Sequence, residues 1–169
     1  MRRTLDALYD GAAALAALFM VGLLIAVLAS VFGRQFGFHI RGTDAYAGYL
    51  MAAAGFLALA HTLKRGEHIR VTLLLQRLGP RAHHALELWA LAVATLLSGL
   101  VAYYSLRLAW QSHSFNDIST GTDATPLWIP QLGMALGTSI LTIAFVDEWL
   151  LEWRGQRVAS VETEAAHHE

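Results

Sequence analysis

Cysteine is absent from this 169-residue chain, which excludes disulfides and thiolate chemistry without choosing a compartment. Charge is scarce: 15% of the residues are charged, against 56% hydrophobic, and the formal net charge is -1. No basic run is long enough to follow a phosphate backbone, which argues against nucleic acid as a partner. Polar stripes at helical spacing are also missing from the apolar stretches, and a water-soluble bundle of this length would need them. The composition belongs to a polytopic membrane protein.

What is present is four long uncharged intervals, Gly11 to Gly33, Ala45 to Leu63, Leu88 to Leu106 and Ala124 to Val146. A helix needs about 20 apolar residues to cross the hydrocarbon core. The expected fold is an all-α membrane protein with spans at about 8–33, 44–64, 86–108 and 127–147 in one integral membrane domain, residues 1–155. The first apolar run is far longer than a signal h-region, and Asp6 and Asp10 spoil a basic leader, so it is expected to be retained. Thr4 and Thr43 are expected as N-caps of the first and second helices. Asp44 then sits at the positive end of the second helix dipole.

The chain changes character after Gly55-Phe-Leu-Ala-Leu-Ala-His-Thr-Leu, where Lys64, Arg65 and Gly66 end the second span. Val71, Leu74, Leu75 and Leu78 then recur at i, i+3, i+4 and i+7, with Arg70, Gln76 and Arg77 turned away. That pattern predicts an amphipathic helix over about 67–78, lying in the membrane interface between spans two and three. Gly79-Pro80 reads as a stop followed by a helix with proline in its first turn, running unbroken to about Ser114. At 1.5 Å per residue that helix is roughly 50 Å long and projects beyond the bilayer. Ser112 to Thr125 reads as a loop, and Pro126 and Pro130 fit the first turn of the fourth helix. Residues 156–169 are polar and acidic with no apolar period, and are expected to be disordered.

Counting basic residues gives an orientation. Arg2, Arg3, Lys64, Arg65, Arg70, Arg77, Arg81, Arg154 and Arg157 fall on the side of the termini, whereas Arg34, Arg41 and Arg107 fall on the other. The positive-inside rule places both termini in the cytoplasm. Aromatic residues agree, with Tyr9, Trp89, Trp149 and Trp153 at one interface and Tyr46, Tyr103, Trp110 and Trp128 at the other.

A chain that moved a charged solute alone would place ionisable groups or a broken helix near the midplane. Gly22, Ala26, Ala52, Gly55, Ala94, Ser98, Gly133 and Gly137 stand there instead, all small. Small residues four apart serve close helix packing, either with a partner or within this bundle, and spacing alone does not choose. Gly48, Ala52 and Gly55 share one side of the most alanine-rich span and are the best candidates there for close approach by another helix. His83, His84 and Glu87 have metal-compatible helical spacing, but no H-E-x-x-H pattern accompanies them. His61 and His68 lie on the side opposite His39 and His113, which does not suit a two-histidine haem. No cofactor or metal is expected. Lys64, Arg65, Arg70 and Arg77 read as topology determinants and lipid headgroup contacts.

The order of a first span ending in Gly33-Arg34, an acid opening the second span, then Gly55-Phe-Leu-Ala-Leu-Ala and Arg65-Gly-Glu-His-Ile-Arg-Val71, resembles the small permease subunit of TRAP (tripartite ATP-independent periplasmic) transporters. The resemblance runs from Leu8 to Arg154. At the start of span two this chain has Thr43-Asp44-Ala45 where the family often places a tryptophan before a pair of acids. The resemblance implies an inner-membrane complex with a large permease subunit that carries sodium and substrate sites, fed by a periplasmic substrate-binding protein. The small subunit would be a non-catalytic scaffold for uptake of an organic anion, commonly a carboxylate. Given such a partner, the outer residues Arg34, Arg41, Asp44, Asn116 and Asp117, which border the entry side, are expected to help dock the binding protein. Two other classes stay open at this stage, a membrane anchor of a redox complex and a stand-alone small exporter.

Orientation is directly testable in this cysteine-free background. A cysteine introduced in the Ser112 to Thr125 loop should react with an impermeant thiol reagent in intact cells, and one at Ser160 should not. The opposite labelling pattern would reject cytoplasmic termini.

Overall fold

The computed structural model of the chain describes residues 2–38, 41–65, 79–121 and 123–154. Four helices carry the fold: α1 (Arg2–Gln35), α2 (Thr43–Lys64), α3 (Pro80–Ser114) and α4 (Trp128–Trp153). All four are long and apolar enough to cross a membrane. Among the described residues there is no strand, only an isolated bridge between Ile118 and Pro126. The expected interfacial helix at 67–78, with Arg70 and Arg77, and the tail at 156–169 lie outside the described residues.

The packing order is α1, α2, α4, α3, so α2 and α4 form the centre and α1 and α3 the flanks. Each flank helix pairs chiefly with its neighbour in sequence, and α2 against α4 is the seam between the pairs. Side chains are distributed inside out relative to a soluble bundle. Buried positions are dominated by alanine, at Ala12, Ala16, Ala53, Ala54, Ala60, Ala102, Ala109, Ala135 and Ala144, while Leu18, Ile25, Leu96 and Leu97 are exposed. Lipid tails are as apolar as leucine, so burying leucine gains nothing there, and close backbone approach supplies the attraction.

That approach is tightest at the seam. A Cβ added to Gly133 would stand 2.8 Å from the Ala53 Cβ, and one on Gly137 would stand 2.5 Å from the Phe56 carbonyl carbon and oxygen. The i, i+4 glycines of α4 are therefore spent inside the bundle. Gly48 and Gly55 of α2 have nothing within 4 Å of the same virtual atom.

Two helix starts differ from expectation. Helix α1 already runs from Arg2, so Thr4 is inside it. Helix α2 is capped by Gly42 in the left-handed conformation (φ 83°) with no side-chain cap bond, which makes Thr43 its first residue. The local preference of threonine for N-caps yields here to a close approach: a Cβ at Gly42 would lie 2.9 Å from the Asp123 Cβ. Helix α3 spans the expected Pro80–Ser114, with proline in its first turn after Gly79.

The seam makes a test. Gly137→Ala forces a methyl into the Phe56 backbone and should cost about 1–3 kcal/mol, read as a lower thermal unfolding midpoint of the purified subunit in mild detergent. Gly48→Ala, which enters open space, should leave the midpoint unchanged; equal midpoints for the two variants would reject the glycine seam.

Candidate functional site

Polarity in the described residues is sorted to the two ends of the bundle. Between them, hydroxyls bond to their own helix: Thr95 donates to the Leu91 carbonyl, Ser98 to Thr95, Thr138 to Met134, Ser139 to Ala135 and Thr142 to Thr138. Such back-bonds satisfy the hydroxyl within one helix and leave nothing pointing across a pathway. Among the described residues the middle of the bundle is thus built chiefly from apolar and small side chains.

At the end that carries the termini, α1 is tied to α2. Lys64 pairs with Asp6 and sits over the ring of the fully buried Tyr9, and His61 Nδ1 lies 3.5 Å from Asp10 Oδ1. On the other flank, His84 Nδ1 meets the buried Glu152 Oε1 at 2.8 Å, joining α3 to α4. His83 faces Glu87 at 3.9 Å. His83, His84 and Glu87 therefore do not converge, and among the described residues no three His, Cys, Asp or Glu side chains are grouped to hold a metal. Lys64 is engaged by a carboxylate, while Arg65, at the end of α2, is exposed.

The small-residue face expected on α2 is open. Gly48, Ala52 and Gly55 are all exposed, and Gly55 also borders an apolar groove of about 380 Å³ between α1 and α2, lined by Ala13, Ala17, Met20 and Ala58. A Cβ added to Gly22 of α1, by contrast, would stand 3.5 Å from the Leu50 methyls within the bundle.

The loop end brings together the other expected residues. Arg34 and Asp44 pair at 3.3 Å, both highly exposed, and Ser30 Oγ donates to Asp44 at 3.2 Å. Arg41, Asn116 and Asp117 are exposed on the same end. Asn116 takes the left-handed conformation (φ 53°) that asparagine tolerates. The Asp117 backbone is held on both sides: its N–H donates to the Ser112 carbonyl at 2.9 Å, and its carbonyl accepts from Leu127 N–H at 3.0 Å.

Sequence reading missed what holds this end in shape. The Tyr49 hydroxyl donates to Asp123 Oδ2 at 3.1 Å and lies 3.1 Å from Ser119 Oγ, which itself donates to Asp123 Oδ1 at 2.8 Å. One turn earlier in α2, Tyr46 lies within 3.4 Å of the Thr125 hydroxyl. A hydrogen bond from Thr125, joined by those from Ser119, its own backbone N–H and Tyr49, pulls the Asp123 carboxyl down to about 2 against the opposing effect of burial. The group is a carboxylate at any physiological pH. Tyrosines at i and i+3 opening a span, facing a Ser/Asp/Thr loop, are the only trace of this network in the sequence.

A search of curated proteins finds no match. A family model does match, that of the DctQ component of tripartite ATP-independent periplasmic transporters, over residues 23–155. The matched region takes in the end of α1, all of α2, α3 and α4, and both the open glycine face and the loop end. Four membrane-length helices, in a chain matched across most of its length, make this protein a member of the DctQ family, the small membrane subunit of a TRAP transporter.

Proposed function

We propose that the chain is a scaffold subunit, which binds the large permease subunit through α2 and leaves ion and substrate handling to that partner. The observation that carries this reading is the contrast between the two glycine pairs. Gly133 and Gly137 are consumed by the α2–α4 seam, whereas Gly48 and Gly55 of α2 meet nothing. A helix surface of small residues left open in lipid is suited to close approach by another helix. The hydroxyls bonded within their own helices support the same reading, since they leave no polar path for a solute through this chain.

On this proposal, the assembled transporter takes up an organic anion, commonly a carboxylate, coupled to sodium and delivered by a periplasmic binding protein. The chain is one integral membrane domain over 1–155 in the inner membrane, with both termini cytoplasmic and the loop end facing the periplasm. Lys64, Arg65, Arg70 and Arg77 border the cytoplasmic headgroups, Lys64 already neutralised by Asp6. Arg34, Arg41, Asp44, Asn116 and Asp117 form the rim that meets the binding protein. Because Arg34 and Asp44 pair with each other, Arg41 and Asp117 are the charges through which rim electrostatics would act.

Replacing Ala52 and Gly55 by leucine raises hydrophobicity and should leave insertion intact, yet the large subunit should no longer co-purify in mild detergent and uptake should fall with it. Ala29→Leu serves as the control for added bulk. Full co-purification with full uptake in the double variant would reject α2 as the assembly face.

Charge reversal at Arg41 and Asp117 together should slow uptake more at low than at high ionic strength, as expected of rim charges that steer encounter. Uptake equal to the parent at both ionic strengths would place docking wholly on the large subunit.

A further inference from the structure

The rim residues come from two separate pieces of chain. Arg34, Arg41 and Asp44 belong to the α1–α2 turn and the start of α2, whereas Asn116 and Asp117 belong to the loop between α3 and α4. Those pieces lie on opposite sides of the bundle order, since α1 and α3 are the two flanks. We propose that Tyr49, Ser119 and Asp123 are positioning residues that lock the two pieces into one preorganised docking platform for the periplasmic binding protein. The proposal rests on the docking reading given above.

Three observations converge on it. First, the hydrogen bonds cross between the pieces: Tyr49 stands on α2, and Ser119 and Asp123 stand on the α3–α4 loop. Second, the backbones touch at the same place. Gly42, in the α1–α2 turn, holds φ 83° and leaves 2.9 Å between a virtual Cβ and the Asp123 Cβ, so only glycine suits both conformation and space. Third, Ala124, beside Asp123, is held in the left-handed region at φ 48°, a conformation that alanine keeps only where its surroundings over-determine it. The bond from Ser119 N–H to the Thr125 carbonyl at 2.9 Å closes the loop around that residue. A loop fixed in this way presents Asn116 and Asp117 at a set distance from Arg41. Binding then avoids the ordering cost that a loose loop would incur at encounter.

The clamp has a signature that a merely structural role would not produce. In proteoliposomes holding both membrane subunits, Tyr49→Phe and Asp123→Asn should raise the half-saturating concentration of binding protein by roughly three- to tenfold, the equivalent of one or two newly ordered side chains. Uptake at saturating binding protein should stay at the parental level. Ser119→Ala should give a smaller rise, and Ser119→Thr, which restores the hydroxyl, should behave as the parent.

A second readout works on the assembled transporter without any binding protein. The chain contains no cysteine, so nitroxide labels on cysteines at Phe38 and Thr120, in a cysteine-free large subunit, report the distance between the pieces. That distance distribution should broaden in Tyr49→Phe and Asp123→Asn, and stay narrow in Ser119→Thr. An unchanged distribution in Tyr49→Phe, Asp123→Asn and Ser119→Ala would overturn the clamp. So would a parental half-saturation in those variants while reversal of Arg41 and Asp117 raises it, and so would a fall in saturated uptake alone. If charge reversal also leaves half-saturation untouched, the docking reading fails with it.

Discussion

Helices in lipid gain nothing by hiding leucine from their neighbours, and the arrangement of this chain depends on that constraint. What holds the centre together is proximity. Gly137 brings α4 against the backbone of Phe56, and Gly133 lets Ala53 into the same seam. Alanine carries most of the other buried apolar positions, joined by Tyr9, Leu57, Leu63 and Leu91, and many large aliphatic side chains turn outward. The choice of which helices meet is thus made by where side chains are missing, and α2 carries small residues both in the seam, at Ala53, and on open sides, at Gly48 and Gly55.

Polar contacts then fix what packing leaves loose. At the termini end, Asp6 with Lys64 and Asp10 with His61 set α1 against α2, and His84 with Glu152 sets α3 against α4. At the loop end, Arg34 with Asp44 repeats the first tie and Tyr49 with Asp123 crosses from α2 to the far loop. Pairs as exposed as Arg34 and Asp44 add little stability by themselves. Their value here is register, because each tie stops one helix from sliding or rotating on the next.

The sequence made the spans legible because absence of charge over about 20 residues has one main meaning in a chain of this composition. Gly79-Pro80 also located the start of α3 correctly, since a stop followed by proline in the first turn is a local signal. Thr43 misled for the same reason: cap preference is local, whereas Gly42 is required by contact with Asp123, far along the chain. The two glycine stripes look alike in the sequence, and only packing shows that 133 and 137 face inward while 48 and 55 face outward. The network of Tyr49 and Asp123 joins residues 74 positions apart, beyond the reach of any periodicity argument. Family resemblance rested on the stretch after α2, part of which lies outside the described residues.

The packing order α1, α2, α4, α3 also divides the chain in the manner of a hinge pin between two leaves. Helices α1 and α2 are adjacent in sequence and tied at both ends, so they form one helical hairpin. Helices α3 and α4 form a second hairpin, complete only when the last span has been made. Until then the outward side of Ala53 and Phe56 has no glycine to receive it. The glycine seam is therefore the junction of two hairpins, each contiguous in sequence, and the subunit is divided between them at that one line of close approach.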